Sequence, residues 1–209
     1  MGALRTTAPF HHPAPPPVSQ SHPTVRLVTG IAGFGAASVN LAISSSLFAA
    51  GAPGPGIPAA AAVAGLWGAA LLAGAVMFLA KDLLMGSRWV RAALAAAAAV
   101  HLTAVAFPTA ATSGLGLTQL SALLLTLMIL AALGWLRRQS AGQEGRQQDG
   151  GLLQEPAGVR PGRLLLAAFA GAVLVAGITT PGLAASTAGQ YAVPHGEHGS
   201  LAPGGHHQH

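Results

Sequence analysis

Five apolar stretches divide this chain, at 27–50, 59–80, 90–109, 115–136 and 164–180. Each is about 17 to 24 residues long, the length that crosses a hydrocarbon core of ~30 Å at ~1.5 Å per helical residue. Inside a bilayer the backbone has to satisfy its own hydrogen bonds, so each stretch is expected to be a helix. None of the five contains Asp or Glu. The chain is 52% apolar and only 7% charged, whereas soluble domains average about 25% charged residues. Too little polar surface remains to cover five such stretches in water. The expected class is an all-α integral membrane protein with five transmembrane helices.

The basic residues then set an orientation. Arg5 and Arg26 precede the first stretch; Lys81, Arg88 and Arg91 mark the connection from the second to the third. Arg137, Arg138, Arg146, Arg160 and Arg163 fill the connection from the fourth to the fifth. The other connections and the segment after the fifth stretch carry no Lys or Arg. Because Lys and Arg favour the cytoplasmic side, the amino terminus is expected inside and the carboxy terminus outside. The net charge of +5 is therefore read as a topology signal. It forms no dense basic patch with interleaved aromatics, which excludes nucleic acid as a partner. The richness in Ala, Gly, Pro and Arg suggests a bacterial plasma membrane. The first stretch is longer than the ~7–15 residue core of a signal peptide, and Pro53 follows its small-residue end. Its retention is expected.

Five segments follow from this pattern. Residues 1–26 form a Pro- and His-rich arm expected to be disordered, since its prolines oppose a helix. Residues 27–136 are read as a four-helix membrane unit with short outer turns, and 137–163 as a flexible cytoplasmic loop. Residues 164–185 make the fifth helix; Pro181-Gly182 marks its end region, and an exit anywhere between 180 and 188 fits the apolar pattern. Residues 186–209 are a Gly- and His-rich tail outside the membrane.

Helices in lipid associate through close backbone contact and shared polar groups. Small residues four apart mark candidate contact faces: Gly33 and Ala37, then Gly65, Ala69 and Ala73, then Ala167 and Gly171. Asn40 and Ser44 lie one turn apart near the first of these and are expected to face protein, because an amide facing lipid loses its hydrogen bonds. His101 is the notable intramembrane ionisable group. With no second His or carboxylate in the spans, it is read as a neutral packing residue bonded to Gln119, Thr118 or Ser121 of the next helix.

No cysteine is present, which excludes disulfides and thiolate chemistry. Phosphate-cradling loops and HExxH are absent as well, and no serine has a base and acid beside it. An enzyme is not expected. The remaining lead is the tail, where His195, His198, His206, His207 and His209 lie within the last fifteen residues. Neutral imidazoles on a flexible strand suit Zn, Ni or Cu(II), and His-rich tracts are a compositional metal signal. Cu(I) fits less well, because Met1, Met77, Met85 and Met128 all lie outside the tail. Two functions remain open. One is an accessory protein that captures a divalent metal on this tail. The other is a structural or assembly subunit of a membrane complex, whose partners are the lipid bilayer and another membrane protein or a second copy.

Overall fold

The computed structural model describes residues 23–51, 56–81, 87–109, 113–148 and 161–190. Five long helices account for nearly all of them: α1 (Pro23–Ala49), α2 (Gly56–Lys81), α3 (Arg88–Ala106), α4 (Gly116–Gln148) and α5 (Pro161–Ala184). A 3₁₀ turn, Ser113–Leu115, leads into α4, and a single turn, α6 (Thr187–Gln190), follows α5. There is no strand among the described residues. All five long helices are apolar and long enough to cross a membrane, so the chain is a multi-pass membrane protein.

The helix ends depart from the sequence reading in physically simple ways. Helix α1 begins at Pro23, inside the segment expected to be disordered. Proline is tolerated in the first turn because its missing N–H has no partner there anyway. Helix α5 starts on Pro161 for the same reason, and it passes through Pro181 to end at Ala184, one residue from the expected 185. Membrane helices accept such a proline where neighbours re-satisfy the backbone. Helix α4 runs on to Gln148, well into the 137–163 segment expected to be a loop. Its 137–148 portion holds three Arg and four Gln, which favour helix, and the first proline is Pro156.

Helix α1 is the axis of the bundle. Of its apolar stretch 67% is buried, against 50% for α4 and 17% for α2, α3 and α5. It packs on α2, α4 and α5, while α3 packs on α4. The fifth helix is therefore as integral to the bundle as the second, and α3 is the peripheral element.

Small residues allow these approaches, but not all at the expected positions. On α2 the buried line is Ala61, Gly68 and Ala75, spaced by seven, with Phe78 below it. A seven-residue spacing keeps one edge on a straight neighbour, as in a left-handed helix pair. A Cβ on Gly68 would stand 3.1 Å from Ala37 O and 3.2 Å from Leu41 N, both backbone atoms of α1. Gly65 also meets α1, at Ser44. Ala69 and Ala73, expected on the same contact face, are exposed instead. Gly33 lies against Ala75 of α2, whereas Gly35 lies against Val175 and Thr179 of α5. Alternate glycines of α1 thus serve two neighbours.

Candidate functional site: a clipped polar end and an apolar cleft

Most of the buried polar side chains collect at the end of the bundle away from the basic residues. Asn40, Ser44 and Ser46 come from α1, His101 from α3, Thr118, Gln119 and Ser121 from α4, and Ser186 from the turn after α5. In a lipid environment each needs a partner, and the structure supplies one contact per helix pair. Ser44 Oγ donates to Ala61 O of α2 at 2.7 Å. His101 Nδ1 and Gln119 Oε1 are 2.7 Å apart, joining α3 to α4. Thr118 Oγ1 donates to Gly182 O at 2.8 Å, joining α4 to α5. The Thr187 N–H donates to Ser46 Oγ at 3.0 Å, holding α6 onto α1.

The acceptors on α5 follow from where that helix stops. The last carbonyls of a helix have no intrahelical donor, and Gly182 lies in the final turn of α5. Its lack of a side chain matters here, because a Cβ would stand 2.6 Å from both Cβ and Oγ of Ser121. Leu183 O is met by the Ser186 N–H and Oγ, at 3.0 and 2.6 Å. The Gly189 N–H then returns to Ser186 Oγ at 3.2 Å. The first residues of the 186–209 segment are thus a packed turn.

His101 is buried, with 6% of its surface exposed. With the Gln119 oxygen as acceptor, Nδ1 carries the proton; the proton placement follows from the hydrogen-bond network. Asn40 is not part of this pair. Its amide donates to Ala36 O of its own helix at 2.8 Å. Of the three intramembrane polar residues singled out in the sequence, the structure joins two and leaves the third separate. Among the described residues no group of three or more His, Asp or Glu side chains can hold a metal. A lone imidazole bonded to an amide has neither a second ligand nor an acid–base partner. What the arrangement does chemically is to clip helices together. His195, His198, His206, His207 and His209 lie outside the described residues.

The basic end is built differently. Arg26 of α1 reaches the last turn of α2, donating to Phe78 O at 3.3 Å and Leu79 O at 3.5 Å. It satisfies terminal carbonyls there, a favourable place for a cation. Nearby, α2 and α3 stand apart, with a cleft of about 440 Å³ between them. Its walls are apolar side chains such as Trp67, Leu71, Phe78, Leu94, Ile129 and Leu133, drawn from α2, α3 and α4, with Gly33 of α1 at its base. The Trp67 indole N–H is buried with no acceptor among the described residues. Sequence reasoning missed this cleft and the backbone-directed clips. Trp67 in mid-span, away from the interfacial layer that tryptophan favours, was the one available signal. Comparison with known protein families, curated proteins and solved structures finds no match to this chain.

Proposed function

We propose that this protein is a structural or assembly subunit of a larger membrane complex, with the outward face of α2 receiving a partner helix. The observation that carries this reading is what α2 turns away from its own bundle. Ala62, Ala69, Ala73 and Ala80 are all exposed. Their spacings of seven, four and seven put them on one line of the helix, about a third of a turn round from the buried line of Ala61, Gly68 and Ala75. The bulky exposed side chains of α2, Val63, Leu66 and Val76, flank the exposed line. A helix that meets only lipid gains nothing from a smooth alanine face, whereas a second helix can approach closely along it. The clipped polar end supports the same reading, since its hydrogen-bonding groups face one another rather than a substrate.

The partner is another membrane protein or a second copy of this chain. The test is the native size of the full-length protein, solubilised mildly from its own membrane, for the wild type and for Ala62→Leu with Ala69→Leu. The wild type is expected to migrate as a complex, and the double variant as a single chain with unchanged helicity. A wild type of single-chain size, or a complex indifferent to both substitutions, would overturn the proposal.

A further inference from the structure

We propose that the cleft between α2 and α3 binds one acyl chain of an anionic phospholipid, with its headgroup held by Lys81, Arg88 and Arg91. Three observations converge on this occupant. The first is depth: on α2 the cleft extends from Trp67 to Phe78, about 16 Å at ~1.5 Å per residue. That is close to half of the ~30 Å hydrocarbon core, the thickness of one leaflet. The second is chemistry. The walls are almost wholly apolar and come from four helices, and the volume of 440 Å³ lies within the about 300–1,000 Å³ of built ligand sites.

The third is the charge at one end of the cleft and not at the other. Phe78 and Val90, which line it, lie within three residues of Lys81, Arg88 and Arg91. Among the described residues none of these three cations has an ion-pair partner, and Arg88 rests over the Trp89 ring at 5.5 Å. From 81 to 91 the chain holds these three cations and one acid, Asp82. The first turn of α3, capped by Ser87, adds the positive end of its dipole. Basic sites between membrane helices at the headgroup level select anionic lipids. A partner helix would need no such charge, and a zwitterionic lipid would gain little from it.

Trp67 is a built-in reporter, one of three tryptophans in the chain. The full-length protein carrying Trp89→Phe and Trp135→Phe is reconstituted in phosphatidylcholine vesicles with a small fraction of phosphatidylglycerol, with bromine on the acyl chains of either lipid in turn. Brominated phosphatidylglycerol is expected to quench Trp67 saturably at mole fractions where brominated phosphatidylcholine has little effect. Replacing Lys81, Arg88 and Arg91 by Gln, on the surface and without repacking, removes the preference, by up to roughly fivefold per residue. Ala93→Phe, which fills the cleft, abolishes quenching by either lipid while helicity is kept. Equal quenching by the two lipids, or a preference that survives the triple Gln variant, overturns the proposal. No quenching by either lipid does so too and leaves the cleft to a partner helix.

Discussion

Gly68 of α2, which lies against backbone atoms of α1, yields a quantitative test. Substituting Gly68→Ala adds one methyl group to α2 where it faces α1. That methyl would stand 3.0 Å from Leu41 Cγ, 3.1 Å from Ala37 O and 3.2 Å from Leu41 N. Carbon–carbon contacts are most favourable near 3.5–4.0 Å. Leu41 can rotate away, but the two backbone atoms cannot, so the helices have to separate by several tenths of an ångström. Such overpacking costs about 1–3 kcal/mol. The same substitution at Gly134 of α4 meets nothing within 4 Å. Both changes share the ~1 kcal/mol by which Ala exceeds Gly in helix propensity, so the difference between them isolates the contact. Reversible unfolding in mixed micelles, or steric trapping in bicelles, is expected to show Gly68→Ala less stable than Gly134→Ala by about 1–3 kcal/mol. Adding Leu41→Ala should recover only part of the loss, because the backbone contacts remain. If the two alanine variants are equal within ~0.5 kcal/mol, the scatter expected of independent sites, then α1 and α2 do not meet at this distance.

Two further outcomes test the polar residues. Gln119→Leu leaves the buried His101 N–H without an acceptor and should cost about 1–3 kcal/mol. A double-mutant cycle with His101→Leu should return a coupling near 0.6 and no more than ~1.7 kcal/mol, as found for hydrogen bonds between membrane helices; a coupling of zero would remove the pair. For the tail, calorimetric titration of the full chain and of a truncation after Ala192 with Zn, Ni and Cu(II) is expected to give saturable binding only in the full chain. Identical titrations would leave His195, His198, His206, His207 and His209 without a metal role.

Much of the architecture is legible in composition alone, because a bilayer leaves the backbone few choices. Five apolar stretches of spanning length can only be helices, and their number and order survive intact. The pairing of His101 with Gln119 was also within reach, since a polar group in a span has to find another on the next helix. Faces were harder to read. With alanine on every side of α2, spacing of small residues does not distinguish Gly65, Ala69 and Ala73 from Ala61, Gly68 and Ala75, and only the packing against α1 decides. Helix ends were obscured by the double meaning of proline, which starts α1 and α5, lies within α5 at Pro181, and opposes helix elsewhere. The clips made by Ser44, Ser46 and Thr118 were invisible for another reason: their partners are backbone groups, which no side-chain pattern encodes.

The contrast between the two ends ties these parts together. At the end without arginines, four side-chain hydrogen bonds link α1 to α2, α3 to α4, α4 to α5 and α6 to α1. Each is modest, about 0.6 kcal/mol on average between membrane helices, but together they fix the register of every packed pair but α1 with α4 and α5. At the basic end only Arg26 clasps α2 from the neighbouring helix, and α3 is joined to the bundle through α4. Helix α3 is thus clipped near one terminus and flanked by the cleft near the other. The acidic groups that would close the cleft with a salt bridge are missing from all five apolar stretches. With one acid, Asp82, for the three cations between 81 and 91, the remaining charge is best matched by a group supplied from the membrane.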